Sequence, residues 1–162
     1  MEPQDPHADI ILSRLDRVQF ECPAEFPVTN TNCVLFLWTD SQYLRKAIQM
    51  MEDKGFEYVC TVFVQVNRFK IPGPFTNPSC EFVLLGKRGH SSKVLRLWDS
   101  QLSVDQICMD SDPRNPLDPC KSVLVRERLD MLIKPGLRKL EVGDFGQAPY
   151  KDWIRWEKWP PF

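Results

Sequence analysis

CVLFLWTDSQYLRKAIQMMEDKGFEYVCTVFVQV, residues 33–66, decides the fold. Cys33 to Trp38 is a continuous apolar run bounded by turn residues, which suits a strand buried on both faces, as in a parallel sheet. Thr39, Asp40 and Ser41 follow and offer N-cap oxygens. Ser41 to Lys54 then reads as a helix, with Leu44, Ala47, Ile48 and Met51 at i, i+3, i+4 and i+7 on one apolar face. Gly55 stands where a C′ glycine ends it. Tyr58 to Val66, rich in β-branched residues, is the next strand. The unit is strand, helix, strand, of a length that fits a right-handed crossover.

Toward the C-terminus, Asn67 to Cys80 reads as a loop with Pro72, Pro74 and Pro78, long enough to suggest function or a partner contact. Glu81 to Leu85 is a third strand, and Val94 to Trp98 and Val104 to Met109 are shorter strand candidates. Asp110 to Pro119 is an exposed loop, Val123 to Ile133 a second helix stopped by Pro135-Gly136, and Leu137 to Val142 a final strand. Tyr150, Trp153, Trp156, Trp159 and Phe162 recur every third residue in the tail, where packing is favoured over base stacking. Trp156 and Trp159 are expected to be its exposed part. Toward the N-terminus, residues 1–32 are poorly patterned, with one short amphipathic helix expected between Asp9 and Phe20 on Ile10, Leu12, Leu15 and Val18. The remainder, 33–162, reads as one domain. Alternating strands and helices make the expected class α/β, a three-layer sheet with helices on both faces.

The 162 residues are 43% hydrophobic and 27% charged, enough for a core in one domain. No apolar run is long enough for a membrane span, and the acidic, Pro-rich start argues against a signal peptide. The six cysteines are scattered, with no C-x-x-C pair and only His7 and His90 beside them. That pattern fits reduced thiols in a cytosolic or nuclear protein and offers no zinc site. Net charge is −1, which excludes a strongly basic nucleic-acid binder. The distribution is uneven: residues 1–40 hold two basic and seven acidic side chains, whereas 41–100 hold nine and five, so a modest positive face is possible. GxGxxG, P-loop, HExxH and GxSxG motifs are all missing. Cysteines at strand positions, such as Cys33 and Cys60, read as core residues rather than nucleophiles.

Three blocks carry a family resemblance: residues 34–67, NPSCEFVLLGKRG at 77–89, and LIKPGLRKLEVG at 132–143 followed by Trp153. In order and spacing they resemble the N6-adenosine messenger-RNA methyltransferase family, of the methyltransferase-like 3 and 14 type. The resemblance implies a Rossmann-like methyltransferase fold and S-adenosylmethionine as methyl donor. Catalytic members carry Asp-Pro-Pro-Trp at the end of a buried strand. There the Asp and a backbone carbonyl accept from the adenine N6 amine, and the aromatic ring stacks on the base. This chain lacks that motif, and Asp5-Pro6-His7-Ala8 has too few residues before it to supply the strand. The expectation is therefore a sheet incomplete at the N-terminus and without its central strand, and a degenerate family member. The family's cofactor-side WVKT becomes Val64-Gln65-Val66-Asn67, and its E-L-F-x-R becomes Glu141-Val142-Gly143-Asp144-Phe145. Glu141 alone survives as a weak relic of a ribose contact, with a structural role the alternative.

The resemblance thus implies a catalytically inactive subunit that binds no cofactor itself. It would pair in the nucleus with an active adenine-N6 methyltransferase, which holds the S-adenosylmethionine, and help bind RNA or DNA. A residual S-adenosylmethionine-dependent methyltransferase is the alternative, and a truncated chain with no stable fold of its own is a third. Phe69, Ile71 and Phe75, on the Pro-stiffened loop, are the candidate partner interface or pack back on their own sheet. Lys87, Arg88, His90, Lys93 and Arg96 either neutralise phosphates or form a solvated turn.

Overall fold

The computed structural model describes residues 7–14, 29–66, 72–76, 80–99, 103–109, 123–142 and 151–156. They form a seven-stranded sheet. In chain order its strands are β1 (Ala8–Arg14), β2 (Thr29–Thr39), β3 (Glu57–Val66), β4 (Cys80–Arg88), β5 (Ile107–Met109), β6 (Lys139–Val142) and β7 (Ile154–Trp156). In space they run β5-β3-β4-β2-β1-β6-β7. β1, β2, β6 and β7 are mutually parallel, and β4 is antiparallel to both of its neighbours. Helices α1 (Leu44–Asp53), α2 (Ser91–Val94) and α3 (Val123–Leu132) connect them, with a 3-10 turn before α1 (Ser41–Tyr43) and another after α2 (Leu95–Leu97).

The stretch 33–66 folds as its pattern requires. β2 is buried along Cys33 to Thr39, and α1 lays Ala47 and Met51 on the sheet. Asp40 caps the turn by accepting from the Tyr43 N–H at 3.2 Å. Gly55, at φ 86°, ends the helix in a conformation other residues adopt only with strain. β2 and β3 are parallel strands separated by β4, so the crossover spans one strand position.

Two cores result. On one face, α2 and α3 cover Ile10, Leu12, Phe36, Trp38, Phe63 and Val83, with Val125 and Leu129 contributed by α3. On the other, α1 covers Ile11, Leu35, Leu37 and Leu84. The expected three layers are present.

Several sequence expectations are corrected. Ala8–Arg14 is a strand rather than the start of a helix, and it occupies the centre of the sheet between β2 and β6. The central strand thought to be missing is this one: it follows Asp5-Pro6 in the chain instead of preceding a motif. The physical reason lies in Ile10-Ile11-Leu12, all fully buried. A helix on this surface shows one face to water, whereas a strand flanked by parallel neighbours buries consecutive side chains on both faces. Residues 29–32, also read as unpatterned, open β2. Val94–Trp98 is not a strand: Val94 closes α2, the 3-10 turn follows, and Trp98 makes a single bridge to Ile133. The strand expected from Val104 begins only at Ile107. Trp153 packs in the core, as read, but Trp156 is half-buried in β7 rather than exposed.

Candidate functional site

The chain reverses its direction of travel across the sheet between β1 and β6. β1 leads to β2 on one side, and β6 leads to β7 on the other. In open α/β sheets the crevice outside the carboxyl ends of strands at such a switch point is the ligand site. Here it is framed by Ser13 and Arg14 of β1, Val142 of β6, and Trp38 and Thr39 of β2, with Arg14 in register with Trp38.

Its polar groups answer one another. The Ser13 hydroxyl donates to the Val142 carbonyl at 3.0 Å. The Glu141 carboxylate, fully buried on the α3 side, lies 3.0 Å from the Arg126 guanidinium, itself 4% exposed. Arg126 comes from the first turns of α3, which reaches the sheet through Val125 and Leu129. Asp40 is engaged in capping. Arg14 is the exception: half-buried, it has no hydrogen-bonding or ionic partner among the described residues.

This arrangement bears on a nucleoside donor. A ribose diol needs an acceptor at the end of β6, and the Glu141 carboxylate is turned to Arg126 instead. Adenine's N6 amine needs acceptors beyond the central strand, and a guanidinium offers only donors. The segments beyond the ends of β1 and β6, 15–28 and 143–150, lie outside the described residues.

The sequence-predicted residues are dispersed. Phe75 is 96% exposed, on the connection between β3 and β4 that leaves the carboxyl edge of the sheet. Phe69 and Ile71 lie outside the described residues, as does Asp5-Pro6. The basic cluster sits at the opposite, amino edge, where β4 ends beside the start of β2. Lys87 bonds Ser91 Oγ and approaches Glu57 at 3.8 Å. Arg88 donates to Thr29 Oγ1 at 2.8 Å and lies 5.8 Å from the centre of the Phe56 ring. His90 Nδ1 lies 2.8 Å from Ser92 Oγ. Lys93 and Arg96 instead line a cleft of about 410 Å³ together with Asp9, Asn30, Thr31 and Asn32. Sequence reasoning missed Arg14, Arg126 and the Asn30-Thr31-Asn32 segment. For the last, a signal existed: a polar triplet directly ahead of an apolar strand.

Burial governs the thiol at this edge. The Cys33 pKa is pushed up to about 12, first by desolvation and then by the nearby Asp9 charge, so it stays a neutral core thiol. Cys60, expected as a core residue, is instead exposed on β3, and what desolvation it has raises its pKa.

No family model matches the chain. Over 62 residues it is 37% identical to the type II methyltransferase M.MunI from Mycoplasma sp. That stretch is 38% of this chain and 27% of M.MunI, so the chain spans about a quarter of this curated relative. Among solved structures, M1.HpyAVI superposes with a TM-score of 0.58 at 15% identity, covering 85% of this chain and 70% of that one. The M1.HpyAVI–SAM complex superposes with a TM-score of 0.57, also at 15% identity, covering 85% and 72%. The chain therefore has a Rossmann-like methyltransferase fold, a mixed seven-stranded sheet with helices on both faces. Its sequence relative is a methyltransferase.

Proposed function

We propose that this chain is a catalytically inactive methyltransferase-like subunit of an adenine-N6 methyltransferase. It pairs with an active subunit, steadies that subunit's fold and helps hold nucleic acid, while S-adenosylmethionine is bound by the partner. The observation that carries this reading is the end of β1. The central strand runs out as Ser13-Arg14, and the sequence continues Leu15-Asp16. The family resemblance expects Asp-Pro-Pro-Trp at such a place. A carboxylate there accepts from the amine and turns its lone pair toward the methyl group; a guanidinium repels that polarity. The commitment of Ser13 to Val142 and of Glu141 to Arg126 supports the same reading. The exposed Phe75, on the carboxyl-edge connection, supports a partner surface there.

A second reading, a residual S-adenosylmethionine-dependent methyltransferase, is favoured by one observation: the switch point itself is formed, because β1 fills the centre of the sheet. Two measurements on the purified full chain separate the readings. Calorimetry with S-adenosylmethionine is expected to give no binding heat. Incubation with methyl-labelled donor and adenine-containing RNA or DNA is expected to transfer no label. A micromolar donor site or labelled product would overturn the proposal in favour of the second reading.

A further inference from the structure

The amino-edge cleft is separate from the switch point, since β1 and β2 each run from one to the other. Its construction is specific. Lys93 and Arg96 are three residues apart across α2 and the following 3-10 turn, a spacing that sets both side chains on one side. That segment is anchored beneath by Val94 in the core. It is anchored beyond by Asp99 N–H to Leu132 O at 2.7 Å and Lys134 N–H to Leu97 O at 3.0 Å. Both cations are exposed and have no ionic partner among the described residues.

Asp9, the carboxylate lining the cleft among the described residues, is hydrogen-bonded at both oxygens. Asp9 accepts from Asn30 Nδ2 at 2.5 Å and from the Arg138 N–H at 2.9 Å. Asn32 turns its Oδ1 inward, buried and without a hydrogen-bond partner, against the turn at Gly89. A planar amide with its oxygen buried presents its NH2 the other way. The lining supplies an ammonium, a guanidinium, the Asn32 amide and the Thr31 hydroxyl, which can donate or accept. The Asn30 carbonyl remains as an acceptor. Donors that carry charge suit phosphate oxygens, and a neutral acceptor suits an N–H on a base edge. Arg88 and His90 are exposed on the Gly89 turn that lies against Asn32.

We infer that this cleft binds a single-stranded nucleic acid segment, holding a phosphodiester at Lys93 and Arg96 with a base edge at Asn30 and Asn32. The choice of a polymer over a free nucleotide rests on the reading of the chain as part of a nucleic-acid methylating assembly. The geometry alone offers two cations beside two side-chain amides.

The test is fluorescence anisotropy of the full chain with a labelled single strand of about 12 nucleotides, over a range of salt. Lys93→Ala/Arg96→Ala is expected to weaken binding at least tenfold. It should also lower the slope of log affinity against log salt by about 1.4, two phosphate contacts at about 0.7 each. Arg45→Ala/Lys46→Ala, on exposed positions of α1, is expected to change affinity less than twofold. Lys93→Gln/Arg96→Gln repeats the test with the side-chain stems kept, and thermal melting confirms that all variants fold. Three results would overturn the inference: no binding by the unmodified chain, equal losses in both pairs of variants, or no loss in either. Competition by adenosine monophosphate or inorganic phosphate at the oligonucleotide's own concentration would also overturn it, in favour of a small-anion pocket. None of these outcomes touches the proposal on catalysis, which is judged by donor binding and methyl transfer.

Discussion

The two ends of β1, a strand of seven residues, are built on opposite plans. At the carboxyl end, where sheets of this class take their ligands, side chains that can hold a ligand are turned on each other: Ser13 to Val142, Glu141 to Arg126. At the amino end, Lys93 and Arg96 line a cleft without an ion pair among the described residues, while Asp9 in the same cleft is held by the Asn30 amide and the Arg138 N–H. One edge has the switch-point topology and, Arg14 apart, spends its polar groups on the fold. The other has no such topology and leaves Lys93 and Arg96 without an ion pair among the described residues. Position in a fold therefore says where a site can be, and the pairing state of the side chains says whether the chain still presents one.

The strongest way to break this contrast is to open the pair at the carboxyl edge. Arg126→Met removes the cation 3.0 Å from the fully buried Glu141 carboxylate, which is expected to cost about 3–5 kcal/mol in urea unfolding. Arg126→Met/Glu141→Leu is expected to recover most of it, because two apolar side chains need no partner. A cost below about 1 kcal/mol for the single variant would mean that water or a ligand can reach Glu141. The carboxyl edge would then be as open as the amino edge.

A smaller effect is expected at the amino edge. Gly89 sits at φ 103°, and a Cβ there would come within 2.4 Å of Asn32 Oδ1 and 2.6 Å of the Thr31 carbonyl. Gly89→Ala is expected to cost about 1–3 kcal/mol through backbone strain and displacement of the start of β2. If the cleft depends on that geometry, the same substitution also weakens oligonucleotide binding while leaving any behaviour at the carboxyl edge unchanged.

Much of the scaffold was legible in the sequence, and the reasons are local. The run Cys33–Trp38, the α1 periodicity and Gly55 each act through neighbours in the chain, so propensity and pattern agree with the fold. β1 was misread because Ile10, Leu12, Leu15 and Val18 satisfy a helical spacing, while the fact that decides against it, two parallel neighbours, comes from β2 and from β6 far along the chain. Val94–Trp98 failed in the opposite way. Its apolar residues suggest a strand, but Val94 faces the core while Lys93 and Arg96 turn out to the cleft, an arrangement a short helix and 3-10 turn provide. Of the candidate site, the basic residues could be found as a cluster. Their division could not: Lys87 and Arg88 have partners in Glu57, Ser91 and Thr29, whereas Lys93 and Arg96 have the cleft. Arg126 was invisible because its partner is fifteen positions away on another element.

The smallest effect sharpens the contrast within one edge. Lys139, at the amino end of β6, is also a cation, but it is buried between Asp130 at 2.9 Å and Asp152 at 2.8 Å, with its ammonium 5.8 Å from the Trp153 ring centre. Burial pulls its pKa down, yet the two carboxylates outweigh that, and the net shift is upward from 10.5. Asp152 moves the other way, below 3.8, chiefly because it accepts a hydrogen bond from Lys139. A carboxyl group whose pKa is lower in the folded state adds stability above its unfolded value and loses it as pH falls through the folded one. Asp152→Asn is therefore expected to be less stable than the parent at neutral pH, by under about 1 kcal/mol because Asp152 is largely exposed, with the two converging below pH 3.8. Lys93→Ala/Arg96→Ala, removing cations with no ionic partner among the described residues, is expected to show no such pH-dependent gap. A gap of similar size in both would mean that the cleft cations stabilise the fold, and that the amino edge is no freer for a ligand than the carboxyl edge.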